Sequence, residues 1–549
     1  MSFGFAKILG LGHWKVEDDM DTYDYIVIGA GSAGCTLITR LIEAGKSVLA
    51  LEAGPTERSA YVSIPAMFFR LIGTKRFWIY ESEPEPSLNG RNFFVPQGKT
   101  IGGGSSVNAM IYIRGQAQDY DDWRDAGCLG WGYEDVLPFF IKAEANERLA
   151  HPFHGTDGPL IVSDSKYRNP VGYAFLRGAQ EVGLSFNDDF NGLKQEGVGF
   201  YQNTISDGKR GSTAATYLAR VRDNKLLTLR TEALVDKLEI ENGAAVGVHY
   251  HGAGSEQIFA RANEEVVLTA GALSSPKILL LSGIGSAAHL AEVGIPVRRD
   301  LPGVGENFRD HVGAPCYAKL NVPWGFWAQD RGWRAIRHGL EYLLFKRGIL
   351  NSNLIETGGF IDTDGSGRPD VQFHVIPVLS GDVGKEPPSF HGMSINPCVL
   401  RPKSHGRMRL RSANPADPIL LNANVLDARE DMDTLIRGVK MVRKIFRSPS
   451  LSKLLERELT PGGPPDIEDS QIEAHIRSVA KTVYHPAGTC RMGIDEKAVV
   501  DPQLRVRGVL RLRVADASIM PQVTSGNTNA PAIMIGERCA DFLLKPKRT

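Results

Sequence analysis

Gly29, Gly31 and Gly34 follow one another as G-x-G-x-x-G, and Glu52 stands some 20 residues further on, a spacing that suits a dinucleotide. The first glycine permits a tight turn, the second lets the backbone approach a pyrophosphate, and the third lets helix and strand pack closely. The amides and dipole at the start of the following helix favour phosphate charge. Glu52 can accept hydrogen bonds from ribose hydroxyls, and an acid there, in place of Arg or Lys, argues against NADP. These residues alone leave NAD and FAD both open.

This chemistry needs a strand, a turn, a helix and a second strand, and the residues supply them. Tyr25–Ile28 reads as a buried strand and Ser47–Leu51 as its partner. Gly102, Gly103 and Gly104 form a second glycine cluster. The aromatic and Pro-rich stretch 63–91 reads as a covering loop. Residues 226–229, 235–240 and 246–250 read as a meander of short strands, and 265–270 as a strand entering the turn at Gly271. Further on, 370–376 and 407–411 alternate as strands do, 431–447 has helical spacing, and the chain closes with a strand at 512–516 and a helix from about Asn529. The pattern is α/β mixed with α+β: a dinucleotide fold interrupted by insertions, plus a second mixed domain.

The chain has 549 residues, enough for two or three domains, and its formal net charge is zero, which gives no electrostatic case for nucleic acid as partner. Cys35, Cys128, Cys316, Cys398, Cys490 and Cys539 contain no C-x-x-C pair, so metal-finger spacing is absent and reduced thiols are expected. No metal site is expected. The first 21 residues lack a secretory pattern and read as an arm. No run approaches the roughly 18 apolar residues that span a bilayer. The expected location is the cytoplasm, with peripheral membrane attachment left open.

Several separate motifs resemble the glucose–methanol–choline (GMC) flavoprotein oxidoreductases, most closely their choline-dehydrogenase-like bacterial branch. They are GKTIGGGSSVNAMIYIRG at 98–115, TAGALSSPKILLLSGIG at 269–285, PGVGENFRDH at 302–311, RPKSHGRMRLRS at 401–412, HPAGTCRMG at 485–493, and the blocks 516–521 and 526–529. The resemblance implies FAD and a Rossmann-like FAD-binding domain from 22–161, 205–311 and 480–549. It also implies a substrate domain from 162–204 and 312–479, built on an antiparallel sheet flanked by helices. FAD would then be the hydride acceptor, and the protein would supply binding, orientation and electrostatics.

The resemblance also assigns residues. His485 is the expected base for the alcohol proton, a role that imidazole suits near neutral pH. Asn527 cannot act as a base, but it can donate to the substrate oxygen and orient the alcohol. The flavin contacts implied are Gly29, Gly31, Ser32, Ala33, Gly34, Glu52 and Ala53 in the first unit, then Gly102, Gly103, Gly104, Ser105, Asn108 and Ala109 in the second glycine loop. Val235, Ala270, Gly271, Asp516, Ala517, Asn527 and Thr528 complete them. Some relatives attach the flavin covalently through a His just before the Asn; Val107 stands there in this chain, so non-covalent FAD is expected. Glu356 and Tyr484 are candidate substrate-pocket residues, although a paired structural Glu is preferred for Glu356. Trp324, Trp327 and Trp333 suit either an apolar pocket or the core of the second domain. The basic segment 334–347 reads as a solvated helix face rather than a membrane patch.

The leading reading is oxidation of an alcohol to an aldehyde or ketone, with hydride to flavin N5. Reoxidation by a quinone, a carrier or dioxygen is open, and a dehydrogenase is favoured over an oxidase. The alternative is a hydroxynitrile-lyase-like enzyme on the same scaffold, with structural FAD. A light-driven decarboxylase and a non-catalytic flavin module are disfavoured by the His485/Asn527 pair.

Overall fold

A computed structural model describes residues 22–252, 254, 256–379 and 389–545; the expected arm, 1–21, lies outside the described residues. Two large sheets carry the fold. The first is built around Thr22–Ile28, which pairs in parallel with Val48–Leu51 on one side and Gln257–Leu268 on the other. Residues 25–28 are all buried, as expected of a central parallel strand covered on both faces. Leu227–Arg230 extends the sheet beyond Val48–Leu51, also in parallel. The 12-residue strand Gln257–Leu268 serves two neighbours along its other edge. Its first half pairs antiparallel with Ala244–His251, which in turn pairs with Leu234–Glu241. Its last residues pair in parallel with Leu512–Val514.

The helix Ser32–Glu43 starts at the glycine turn and packs on the C-terminal helix Asn529–Leu544. Their approach is close: a Cβ added to Gly536 would lie 2.6 Å from the Ala33 carbonyl oxygen. Arg40 and the fully buried Glu537 join the two helices at 2.7 Å, and Tyr217 donates to the same carboxylate. The packing brings the C-terminal segment over the turn, where Ser32 Oγ donates to Asn529 Oδ1 at 2.7 Å.

The second sheet is antiparallel, ordered Leu455–Thr460, Cys316–Leu320, Gly392–Val399, Val371–Ile376, Thr357–Ile361 and Gly197–Phe200. The helix Arg429–Phe446 covers Gly392–Val399, and Gly438 sits so close that a Cβ would reach Pro397 at 3.0 Å. Two short strands hang from this sheet. Val312–Gly313 pairs with Lys481–Thr482, and Gly313 with Cys398. The pairing continues as the bridge Arg309–Ala487, so 309–313 and 481–487 run antiparallel and hold residue 311 beside residue 485.

The stretch 63–91 is more ordered than a covering loop. It includes the strand Phe77–Glu81, which forms a hairpin with Phe94–Gly98, because aromatic and β-branched residues there find a cross-strand partner. The six cysteines are buried and unbridged. Among the described residues, no group of three His, Cys, Asp or Glu is placed to hold a metal, and no helix is long and apolar enough to cross a membrane.

Candidate active site

A cavity of about 1560 Å³ is lined by residues of both sheets. It exceeds the roughly 300–1,000 Å³ of a pocket for one drug-sized ligand, which leaves room for a large cofactor and a second molecule. At its dinucleotide end the two glycine-rich turns meet backbone to backbone. A Cβ on Gly103 would stand 2.7 Å from Gly31 Cα, and one on Gly34 would stand 2.0 Å from the Gly29 carbonyl oxygen. Gly104 and Gly271 differ: both line the cavity, and a Cβ on either would meet no atom of the described residues within 4 Å, its chain neighbours aside. Such a side chain would occupy the space a ligand needs.

Glu52 lines the cavity with its carboxylate held by Ala30 N–H at 3.1 Å and Gly54 N–H at 2.9 Å. Burial pushes its pKa up, and the two amides and Lys99 oppose the shift. Asp516 is similarly buried and raised; it accepts from Gly271 N–H at 2.9 Å, Ser275 Oγ at 2.5 Å and Ser518 N–H at 2.8 Å. An adenine–ribose–pyrophosphate–flavin skeleton fits this set of backbone amides, open glycines and acids.

Of the residues assigned from the sequence, most line the cavity, including Val235, Asn108, Ala109, Ala270, Ala517 and Thr528. Gly34, Gly102 and Ser105 lie behind the lining and shape it; Ser105 Oγ donates to the Gly102 carbonyl at 2.6 Å. Glu356 does not line the cavity. It is buried and bonded to Ser352 Oγ, and burial raises its carboxyl to about 7. Tyr484 lines it and takes a left-handed φ of +72°. Val107, also in the lining, offers no nucleophile.

The histidine end is a chain of hydrogen bonds with a defined direction. His311 Nε2 lies 3.0 Å from the Leu400 carbonyl oxygen, which only accepts, so Nε2 carries the proton. His311 Nδ1 is then an acceptor, and His485 Nδ1 donates to it at 2.9 Å. That leaves the lone pair of a neutral His485 on Nε2, where Asn527 Nδ2 donates at 3.2 Å. Gln372 Nε2 donates to Asn527 Oδ1 at 3.1 Å and so turns the amide's NH₂ toward His485. The assignment follows from the network's acceptors rather than from observed protons. The two imidazoles cross nearly perpendicularly, at 88°.

All three buried imidazoles here are poor at holding charge. Burial lowers His485 well below the ordinary range, and His311 and His374 lower it further. His311 and His374 are each lowered to about 4, mainly by burial. The backbone beneath is fixed by Asp310, whose carboxylate accepts from His485 N–H at 2.9 Å and from Thr482 Oγ; burial raises its pKa to about 7. His485 is therefore a neutral imidazole with its Nε2 lone pair at the cavity wall beside an amide donor.

His311, His374, Gln372 and Arg210 are parts of the site that sequence reasoning missed. His311 ends the motif 302–311, which carried no role. Gln372 and His374 occupy alternate places in the otherwise apolar strand Val371–Ile376, a signal of one polar face. Among the described residues, buried Arg210 has no carboxylate partner. It donates to the carbonyls of Val62, Ser105 and Asn108 and to Asn108 Oδ1, clamping the second glycine loop, and burial lowers it to about 9.

Comparison with known proteins agrees with this architecture. Residues 23–313 match the N-terminal part, and 402–536 the C-terminal part, of the GMC oxidoreductase family. The chain is 44% identical to the alcohol dehydrogenase [acceptor] of Pseudomonas putida over 95% of its own length and 96% of that protein's. It is 41% identical to human mitochondrial choline dehydrogenase, over 96% and 90% of the two chains. An FAD-dependent oxidoreductase from Chaetomium thermophilum superposes with a TM-score of 0.88 at 28% identity, covering 95% of this chain and 99% of that one. None of these three is a lyase. Two sheets joined around one cavity, with matches along nearly the whole length, make this chain a member of the GMC oxidoreductase family and an FAD-dependent oxidoreductase.

Proposed function

We propose that the protein oxidises an alcohol to the aldehyde or ketone, with His485 as the base and Asn527 as the group that orients the hydroxyl. FAD, when bound against the glycine turns, supplies the acceptor for the two electrons and the carbon-bound hydrogen. His485 Nε2 takes the hydroxyl proton, which pushes electrons toward the carbon that loses hydride. Asn527 Nδ2–H moves from His485 to the substrate oxygen, where it donates as negative charge develops. Throughout, His485 Nδ1–H stays on His311, so the ring keeps its orientation while Nε2 gains a proton. The single observation that carries this reading is the hydrogen-bonded chain from the Leu400 carbonyl through His311 to His485 Nδ1, which turns His485 Nε2 to Asn527 at the cavity wall.

The acids lining the cavity favour an uncharged substrate. Glu52 and Asp516 belong to the dinucleotide end, Asp330 pairs with Arg70 at 2.8 Å, and Asp417 lies by Lys277. The segments at the histidine end contribute Leu354, Ile355, Ile376, Val378 and Leu379 instead. With Glu356 turned away, no carboxylate among the described residues there faces a quaternary ammonium, and on those residues an apolar alcohol fits better than choline. A dehydrogenase is favoured over an oxidase, in keeping with the named relatives. Among acceptors, a quinone would require contact with a membrane, which the protein would meet from its surface.

Non-covalent FAD is supported by Val107 in place of a nucleophile; acid should release free flavin, and yellow colour remaining in the precipitate would contradict it. The decisive experiment is anaerobic mixing with an alcohol panel, followed at the flavin band. Apolar primary alcohols should bleach it, and His485→Ala should slow bleaching by about 10³- to 10⁴-fold while FAD stays bound. Near-normal bleaching in that variant would remove His485 from the role of base.

A further inference from the structure

In the helix Gly332–Phe345 the usual amphipathic arrangement is reversed. Its inward face carries the polar groups: His338 Nε2 lies 3.0 Å from Gln329 Oε1, and Tyr342 OH donates to the Gly208 carbonyl at 2.8 Å. Its outward face carries Trp333, Ile336, Leu340, Leu343 and Leu344, each between 53% and 70% exposed. Their spacing is one helical stripe along the whole element. Scattered apolar side chains on a surface need no explanation, but a contiguous stripe marks something that covers it.

The charges around the stripe indicate what. Arg331, Arg334 and Arg337 flank its start, and Lys346 and Arg347 follow its end. The acids in this segment are Asp330, already paired with Arg70, and Glu341. A second copy of the chain docked here by a two-fold axis would set these cations against themselves. An anionic lipid surface instead offers acyl chains to the stripe and phosphates to the rim. At 14 residues the helix is too short to cross a bilayer, so it would lie in the interface plane.

We propose that this helix docks the protein on an anionic bilayer, with the Trp333–Leu344 stripe below the headgroups and the basic rim against lipid phosphates. Ala335 and His338, on the helix's other side, line the cavity, as do neighbouring Phe69 and Arg70. The docked surface is thus one helix away from the cavity. An apolar alcohol or a quinone dissolved in lipid would reach it without crossing bulk water. Docking itself does not depend on the chemistry at His485.

The test is flotation of the holoenzyme with phosphatidylcholine vesicles, with and without phosphatidylglycerol. The protein should float with the anionic vesicles, and rising salt should weaken this. The triple variant Leu340→Glu/Leu343→Glu/Leu344→Glu should bind at least about tenfold more weakly, since it puts charge where acyl chains would be. Its retained FAD, unchanged in ratio to protein, would show that it is folded. Should it fail to hold FAD, Arg331→Glu/Arg334→Glu serves in its place, with the same loss expected. A wild-type protein that stays unbound with anionic vesicles would overturn the proposal. So would variants that float as well as wild type, or a wild-type dimer that the Leu variant turns into monomers without any flotation.

Discussion

The two ends of the cavity are built in opposite ways. The dinucleotide end is backbone: turns at Gly29–Gly34 and Gly102–Gly104 pressed together, with Glu52 tethered by main-chain amides. Its parts sit within short contiguous stretches. The histidine end is side chain on side chain, and its parts come from five places: His311, Gln372, Leu400, His485 and Asn527. A backbone site must write itself into local sequence, because only glycine permits the approach. A side-chain cluster needs only the right residue at the end of each strand, and nothing near it in sequence announces the others.

That difference predicts unequal responses to mutation. The largest belongs to the backbone end. In Gly34→Val the first new carbon would overlap the Gly29 carbonyl oxygen at 2.0 Å, and backbone cannot swing aside as a flexible side chain can. The variant should purify without FAD, seen as loss of the flavin band relative to protein absorbance. Stoichiometric FAD in that variant would break the distinction between the two ends of the cavity.

Asn527→Ala should do less. On the proposed mechanism the base remains, and what is lost is one donor to the developing oxyanion, worth about 3 kcal/mol or roughly 10²-fold in flavin reduction. FAD content should stay normal. Asn527→Asp sharpens the comparison, because it keeps the shape and the acceptor for Gln372 but loses the NH₂. If Asp restored the rate lost with Ala, the donor role would be wrong and shape alone would matter.

The same contrast governs what the sequence made legible. The strand–turn–helix of 25–51 is present as read, since its burial and glycine spacing are local properties. The strands at 226–250 are present too, but they do not form one meander: Leu227–Arg230 runs parallel to Val48–Leu51, while 234–251 forms a hairpin. Alternation identifies a strand without saying which edge it joins. The tryptophans divide by tertiary placement. Trp327 lines the cavity, whereas Trp324 and Trp333 are exposed and fill neither pocket nor core. The segment read as a solvated helix face at 334–347 lies in the helix Gly332–Phe345, and its exposed side carries large apolar residues among the cations, because composition alone cannot show which side meets the protein.

His311 tests the side-chain end most finely, because it touches His485 and not the cavity. Its carbonyl-bound Nε2–H leaves Nδ1 free to accept, and this keeps the proton of His485 on the far nitrogen. In His311→Leu that acceptor is gone, and only the Asn527 amide then opposes the tautomer with its proton on Nε2, which cannot act as the base. Flavin reduction should fall by about 10- to 100-fold, the usual cost of losing an outer partner. A packing defect alone could slow the enzyme by as much, so the pH profile is the better readout. In the wild type, burial and the neighbouring imidazoles keep His485 neutral well below the ordinary histidine range. The rate should show no imidazole break between about pH 6 and 8, the limb that belongs to His485 lying in more acid solution. Removing His311 removes one of the influences that lower His485, so the acid limb should move to higher pH. His311→Gln, whose amide oxygen can accept from Nδ1–H, should recover much of the rate. A Leu variant that is slow at every pH in the same proportion, and that Gln does not rescue, would reduce His311 to a packing residue and leave the tautomer of His485 set by Asn527 alone.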